Sequence, residues 1–430
     1  MIKSLRKAFA FMHGNMLVMT VTGAMGMFAR SMVFPYASLY ILALGGEPAQ
    51  IGFVNSLRPL AGLIAFPIAG YLADRVSRVK VIGFTGYFSG AILLLYVLAP
   101  NWHFIALAGL LQGVGVLQFP ASSAIIADSL SPETRAMGIA TMNSIAGLLA
   151  VVAPYVAGLT IDILGVAAGI RLLYAVLMIV YLASAAINLR YLEDTSPHDA
   201  ERVKLADLPQ TVKDAYKDVP DILRNLPRSL SVLAAILILG YMANAIAGPF
   251  WVVYASQEIG LSSVQWGLVL FIETALRNLI YIPAGMVVDR SGRSRCIRIS
   301  LFASLVVIPL FIVSKTFFHV LLIRSVVGIT NAFFIPACSA LMADLVPRDL
   351  RGRVMAALGR GSLMIGASSG GIGGPGVGFL ITVPIMLASL AGGYLYDGDP
   401  AYPWFFVLAA TLISLLLSVF FIRDPREAEA

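Results

Sequence analysis

Four charged side chains lie inside long apolar stretches of the sequence, where they could bind ions or exchange protons: Arg30, Arg58, Glu273 and Arg277. A charge within a membrane helix costs ~2.5 to 3.5 kcal/mol on insertion scales, so such residues usually face a protein interior or water. Guanidinium groups bind carboxylates, phosphates and sulfonates, and a carboxyl group can take up and release a proton. The pattern therefore indicates anion binding and proton exchange inside a membrane.

Glu273 is the only carboxylate found deep inside a predicted span. Glu273 and Arg277 are four residues apart, so they share a helix face and can pair. Glu273 could bind and release a proton, depending on whether Arg277 or Arg58 is close. Two interpretations stay open: Glu273 is the proton-coupling residue, or it forms a permanent ion pair with Arg277 that only stabilises the helix.

Arg30 lies about halfway along the first apolar stretch, and aligning Pro35 with Pro249 gives Asn244 as its counterpart in the second half. Arg30 could contact an anionic substrate or counter-ion, or it could be a helix-packing residue capped by backbone carbonyls. The residues predicted to bind substrate are Arg30, Arg58, Asn244 and Arg277.

A second set of charges forms the same motif twice, half a chain length apart. Each copy follows an apolar stretch and contains a glycine, then Asp-Arg four residues later, then another arginine. A second pattern is also duplicated. In each copy an aspartate lies at the end of one span, and an arginine lies at the start of the next span. The residues predicted to act in gating are Gly70, Asp74, Arg75, Arg78, Asp128, Arg135, Gly285, Asp289, Arg290, Arg293, Asp344 and Arg351.

The duplicated motif resembles the signature loop between helices 2 and 3 of the major facilitator superfamily. Ser77 stands where that pattern usually has glycine, whereas the second copy has Gly292 there. The resemblance covers nearly the whole chain and implies two six-helix bundles around a central cavity. It also implies that the loops and acids form charge clusters that hold the cytoplasmic side closed in one state. The alternative is that these charges are simple stop signals at the ends of helices.

Two other family motifs are only partly present. Proton-coupled antiporters of the superfamily usually carry an arginine where this chain has Gly109, just before Gln112 and Gly113. The stretch from Pro154 to Gly158 is a weakened form of the family's antiporter pattern in helix 5. Small residues there also suit close helix packing. The resemblance therefore gives export only faint support.

The composition independently predicts an all-α integral membrane protein. The 430 residues are 59% hydrophobic and 12% charged, with a mean hydropathy of +0.87, and soluble domains carry about twice that charge. A spanning helix needs ~20 largely apolar residues. The twelve predicted spans are 15–44, 50–73, 80–100, 103–128, 136–163, 166–191, 230–258, 264–288, 296–315, 318–345, 354–396 and 402–422.

The net charge of +7 reflects topology. If the spans alternate, nearly all the loop arginines and lysines fall on one side, which places both termini in the cytoplasm by the positive-inside rule. We therefore expect an inner or plasma membrane protein, in contact with the lipid bilayer, and no nucleic-acid partner. The four histidines are scattered and no metal-ligand or nucleophile constellation occurs, so we expect no enzyme activity and no cofactor.

The chain divides into two bundles, residues 1–191 and 230–430. The polar stretch 192–229 between them predicts a cytoplasmic linker with a short amphipathic helix. The second bundle contains the glycine-rich stretch 366–379. A continuous helix across this region would run ~70 Å, over twice the hydrocarbon thickness. We therefore predict that helix 11 is broken, because glycine costs ~1 kcal/mol and proline ~3 kcal/mol in a helix interior.

These observations predict a secondary active transporter that works by alternating access around a midplane cavity. The excess of membrane arginines over Glu273 favours a small organic solute that is anionic or amphipathic, with a proton gradient as the energy source. We expect the chain to act as a monomer. The alternatives are a multidrug efflux antiporter for lipophilic compounds, or a lipid-translocating or receptor protein on the same fold.

Overall fold

The computed structural model describes residues 12–132, 134–196, 208–217, 227–346, 354, 357–359, 361–368, 378–422 and 424. Within these ranges, twelve helices are long and apolar enough to cross a membrane. They are α1 (Gly14–Ala43), α2 (Pro48–Arg75), α3 (Arg78–Val97), α4 (Trp102–Asp128), α5 (Arg135–Leu164), α6 (Val166–Tyr191), α7 (Arg228–Gln257), α8 (Ser263–Ser291), α9 (Arg293–Phe311), α10 (Phe317–Leu345), α11 (Phe379–Gly398) and α12 (Tyr402–Phe421). The predicted spans match these bounds to within a few residues, except at the start of α11.

The helices form because apolar residues cover most of their circumference. Their spanning windows have mean hydropathies from 1.3 to 2.4, as expected for helices surrounded by lipid or by other helices. Without water, each backbone N–H and C=O must find a partner within the segment, which favours the α-helix. Polar side chains that stabilise the helices lie mainly at the helix ends. In α8, Ser262 and Gln265 form a reciprocal capping box.

The two halves share an irregularity in their first helices. A 3₁₀ turn interrupts α1 at Phe34–Tyr36 and α7 at Gly248–Phe250. Each turn contains a proline, Pro35 or Pro249, and proline cannot donate the regular helical hydrogen bond. The alignment of Pro35 with Pro249 is therefore matched by equivalent breaks, and the predicted pair of pseudo-symmetric bundles is confirmed.

Each half has an aromatic cluster near the same end of the bundle. In the first half, the ring of Tyr174 stacks on Tyr96 with centroids 4.4 Å apart, and Tyr40 packs beside it at 5.6 Å. In the second half, Trp251 contacts Phe311 at 4.5 Å. We call this the Asp162 end, because it includes the end of α5, and we call the opposite end the Arg78 end.

The two halves pack closely at the Asp162 end, where glycines allow backbone to meet backbone. A Cβ on Gly52 of α2 would lie 2.5 Å from the Ser389 carbonyl oxygen of α11. Gly158 of α5 lies against the backbone of Ser263 on α8, and Gly267 of α8 lies against the backbone carbonyl of Pro154 on α5. Larger residues at these glycines would push α2 away from α11 and α5 away from α8.

At the Arg78 end the same helices leave open space. A Cβ on Gly70 of α2, Gly147 of α5 or Gly285 of α8 would meet no heavy atom within 4 Å. The helix pairs that touch near Asp162 therefore leave these three positions uncovered farther along. The close glycine contacts between the halves therefore lie at the Asp162 end, whereas a Cβ at Gly70, Gly285 or Gly147, which is near the middle of α5, would meet no other helix.

The segment between the two bundles contains a helix of its own. A short helix, Leu208–Lys217, lies within the predicted linker, as expected.

Ahead of α11, residues 361–368 are not helical, and Gly361 and Gly366 take positive φ angles of 72° and 66°. The predicted break in helix 11 is therefore confirmed. Residues 354, 357 and 358 are helical, and the spanning helix begins at Phe379. Residues 369–377 of the glycine-rich stretch lie outside the described part of the structure.

Candidate substrate and coupling site

A buried ion pair joins α8 to α10. The Glu273 carboxylate oxygen Oε2 accepts a hydrogen bond from Arg324 Nε at 2.8 Å and lies 2.6 Å from Nη2 of the same guanidinium group. The two side chains are only 8% and 1% exposed. The predicted alternative of a Glu273–Arg277 pair is wrong for this structure, because Arg324 occupies the carboxylate from the facing helix. Removing one partner of such a pair would leave an uncompensated buried charge.

Arg324 also makes contacts beyond the carboxylate. Its Nη1 donates to the carbonyl oxygen of Gly366 at 2.7 Å, and its guanidinium carbon lies 4.5 Å from the Trp251 ring centroid. A cation over an aromatic face is favourable, especially when desolvated. Arg324 therefore links α8, α7 and the non-helical segment 361–368 at one buried point.

Asparagine side chains hold the non-helical segment in place. The Asn331 amide donates to the Ile365 carbonyl at 2.8 Å and accepts from the Ile365 N–H at 2.7 Å. Asn244 donates to the Met364 carbonyl and accepts from the Ala367 N–H at 3.0 Å. Irregular backbone at membrane depth persists only when protein groups satisfy it. Both asparagines therefore substitute for the missing helical hydrogen bonds.

Three half-buried arginines lie apart from this ion pair. Arg30 donates to the Tyr181 hydroxyl across 3.4 Å, and Arg58 lies over the Phe34 ring with its guanidinium carbon 5.7 Å from the centroid. Phe34 follows Arg30 by one helical turn, so both arginines gather around the same part of α1. Neither arginine forms an ion pair with an acid in the part of the chain that the structure describes.

The third arginine, Arg277, belongs to the second half. Its Nη1 lies 3.1 Å from the Met364 sulfur, a weak hydrogen-bond acceptor, and no acidic residue among those described pairs with it. Asn244 binds the carbonyl of the same methionine, so the structure brings Arg277 and Asn244 together at Met364. The N–H donor and the carbonyl acceptor of the Asn244 amide both bind the non-helical segment 361–368. The assignment of Asn244 to substrate binding stays a prediction.

The duplicated loops form equivalent ion pairs, one in each half. Arg78, at the start of α3, pairs with Asp128 at the end of α4, and Arg293, at the start of α9, pairs with Asp344 near the end of α10. Arg78 also donates to the Thr195 hydroxyl at 2.9 Å. The loops and acids therefore cluster as the resemblance implies, with each pair inside its own bundle.

The chain that follows the sixth helix of each half completes these clusters. The Arg78 N–H donates to the Ser196 hydroxyl at 2.9 Å. In the second half, the Ser294 N–H and hydroxyl both donate to Asp424 at 2.9 Å. Each bundle thus ties its signature loop to the segment after its last helix.

The other predicted gating residues have fewer described contacts. Arg75 lies over the Tyr71 ring at 4.3 Å, and Arg135 donates to the Ala127 carbonyl at 2.9 Å. Asp289 and Arg290 are exposed at the end of α8. The side chain of Asp74 and the whole of Arg351 lie outside the described part of the structure.

Sequence reasoning missed three residues of these sites: Arg324, Asn331 and Asp424. Arg324 lies two turns after Phe317, the first residue of α10, and is fully buried. Its charge within an apolar span was the same signal that singled out Arg30. Arg324 and Asn331 are seven residues apart, which places them on one helix face, but the sequence does not reveal what that face contacts.

Comparison with known proteins identifies relatives across the full length. The sequence model of the Major Facilitator Superfamily matches residues 19–239 and 233–430. An uncharacterised transporter of that type from Methanocaldococcus jannaschii is 24% identical over 417 residues, covering 94% of each chain. The multidrug resistance protein MdtG of Salmonella arizonae is 26% identical over 344 residues, covering 78% of this chain and 80% of the relative.

Among solved structures, a nucleoside transporter shares the architecture. It superposes with a TM-score of 0.70 at 13% sequence identity, covering 95% of this chain and 100% of that one. At this identity the likeness concerns the fold alone.

Proposed function

Because the chain belongs to the Major Facilitator Superfamily of membrane transporters, we propose that it carries a small anionic or amphipathic organic solute by alternating access. The observation that carries this proposal is the charge balance inside the membrane. Glu273 is neutralised by Arg324, whereas Arg30, Arg58 and Arg277 pair with no acid among the described residues. Three half-buried guanidinium groups favour an anionic partner.

The arginines are distributed in a way that suits transport between two bundles. Arg30 and Arg58 belong to the first half, and Arg277 belongs to the second. A substrate bound by both halves would stabilise states in which they approach each other, which is the basis of rocking-bundle transport. In this proposal residues 1–191 and 230–430 move as the two bundles, with 192–229 as their connection.

The proposed orientation places both termini and the Arg78 end in the cytoplasm, on the basis of the loop arginines. In that orientation the contacts at the Asp162 end close the external side, and the structure corresponds to an inward-open state. The paired loops with Arg78 and Arg293 would then change partners between bundles when the cytoplasmic side closes.

We propose that transport is coupled to protons through Glu273. Protonation of this carboxyl would remove the negative charge that Arg324 binds, and so weaken the connection between α8 and α10. Because Arg324 also holds the Gly366 carbonyl, the change would reach the non-helical segment near Arg277. No other carboxylate lies deep within the described spans, which supports Glu273 as the proton site.

A second candidate, efflux of lipophilic drugs, is favoured by the similarity to MdtG. The weakened antiporter pattern in α5 agrees with that candidate, although Gly158 has a packing role against α8. The two candidates differ in the charge of the substrate. A cationic drug would find no unpaired acid deep within the described spans, since Glu273 is bound by Arg324.

A ligand screen with the purified protein tests the choice. We expect carboxylates, sulfonates or phosphate esters to raise the melting temperature, since a ligand that binds only the folded state stabilises it. Arg30→Gln and Arg277→Gln should lose this response, whereas Lys315→Gln, which removes an exposed charge at a loop, should keep it. Stabilisation by lipophilic cations alone would favour drug efflux. Flux into liposomes then separates a transporter from a receptor.

A further inference from the structure

An acidic side chain of the first half caps a helix of the second half. Asp162, near the end of α5, accepts the Ser263 N–H at 3.0 Å through one carboxylate oxygen and the Val264 N–H at 3.1 Å through the other. Ser263 and Val264 are the first two residues of α8. The carboxylate thus lies against the partial positive charge of a helix N-terminus.

This contact completes a cap that α8 cannot make alone. The N–H of Gln265 is bonded within the half, to the Ser262 hydroxyl. The two preceding N–H groups have no helical acceptor, because the first turn of any helix leaves its donors free. Asp162 supplies both acceptors, so the cap is complete only while the two halves are in contact.

A buried tyrosine makes a second connection at the same place. The Tyr36 hydroxyl lies 2.8 Å from the Pro154 carbonyl oxygen of α5 and 3.0 Å from the Ser263 carbonyl oxygen of α8. Tyr36 is fully buried and belongs to the 3₁₀ turn of α1. Its position fixes α1, α5 and α8 relative to one another at the Asp162 end.

We infer that Asp162 and Tyr36 form a latch between the bundles, which holds the Asp162 end closed and must release in each transport cycle. Opening that end moves Ser263 and Val264 away from Asp162. The two N–H groups and the Asp162 carboxylate that this motion separates can then bind water. Release therefore has a modest free-energy cost and can be reversed. The latch holds α8, which also carries Glu273, and it therefore acts on the helix that bears the proposed proton site.

The test measures distances between spin labels across each end of the bundle. Introduced cysteines at Pro100 and Lys315 report on the Asp162 end, and cysteines at Ser131 and Ser291 report on the Arg78 end. These four positions are exposed. The native Cys296 and Cys338 are both buried, so labelling should be selective.

The variants Asp162→Ala and Tyr36→Phe should each shift the population toward opening at the Asp162 end, and Asp162→Ala should do so by about fivefold because it removes a helix cap. Distances there should lengthen as those at the Arg78 end shorten. Asp399→Ala is the matched control, since that exposed acid at the same end accepts a hydrogen bond from Ala401 in its own half. It should leave both distributions unchanged.

Unchanged distances in both latch variants would overturn the inference, even if their melting temperatures fall, because a purely structural role would not move the equilibrium. An equal shift in Asp399→Ala would also overturn it. The distances require no substrate, so the result is independent of whether the proposed anion transport is correct.

Discussion

Gly328 lies directly against Glu273 across the contact between α8 and α10. A Cβ at Gly328 would be 2.7 Å from the Glu273 carbonyl oxygen and 3.0 Å from its Cγ. Arg324 precedes Gly328 by one turn on α10. The missing side chain at position 328 therefore allows the two backbones to approach closely enough for Arg324 to reach the carboxylate.

The variant Gly328→Ala should destabilise the protein by about 1–3 kcal/mol, the usual cost of inserting atoms into a packed core. A lowered melting temperature would report the change. Gly147→Ala is the control, because a Cβ there meets nothing within 4 Å and alanine favours the helix by roughly 0.5–1 kcal/mol. Equal stability of Gly328→Ala and the wild type would contradict the close contact.

Arg324→Gln should be more damaging than Arg277→Gln. Removing one member of a buried pair costs about 3–5 kcal/mol, whereas Arg277 is half-buried and contacts a thioether. Adding Glu273→Gln to Arg324→Gln should restore part of the stability, because it removes the uncompensated charge. If the double variant melts below Arg324→Gln, the pair does not act as described.

Glu273→Gln leaves Arg324 unpaired and so lowers stability, but in the protein that remains folded it should abolish proton-driven accumulation in liposomes and spare substrate exchange. Glutamine cannot ionise, and exchange needs no net proton movement. Parallel measurements of uphill uptake and counterflow distinguish these outcomes. Retained uphill transport would leave Glu273 as a structural partner of Arg324 only.

Leucine at Gly70 or Gly285 should fit the present state but obstruct the opposite one. Neither glycine has a heavy atom within 4 Å of its Cβ position, so the melting temperature should stay near that of the wild type. Transport should slow, and labels at the Arg78 end should show fewer short distances. Gly23→Leu, at another open and exposed helix position, is the control and should transport normally. Normal transport in both Gly70→Leu and Gly285→Leu would contradict the proposed closing of the Arg78 end.

The spans and the duplication could be predicted from the sequence because both depend on local composition and spacing. Hydropathy located α1 to α10 and α12 closely, and the glycines and Pro375 predicted the break before α11. The start of α11 could not be placed, because its residues lie beside a non-helical segment whose stability depends on Asn244 and Asn331. Those partners are distant along the chain.

The partner of Glu273 could not be predicted either. Arg277, which shares a helix face, and Arg58 were the partners considered, whereas Arg324 lies 51 residues away on α10. Helix periodicity specifies which residues share a face, but it does not specify which face of another helix lies opposite. The charges themselves were recognisable, and their pairing depended on the packing of α8 against α10.

The buried ion pair also has a consequence for how the chain enters the membrane. During synthesis α8 emerges before α10, so Glu273 must enter the bilayer while Arg324 is still unavailable. Each charge alone opposes insertion by about 2.5–3.5 kcal/mol, and pairing offsets both costs together. The second half should therefore integrate cooperatively, with α8 stably settled across the bilayer only after α9 has turned the chain back and α10 has delivered its arginine.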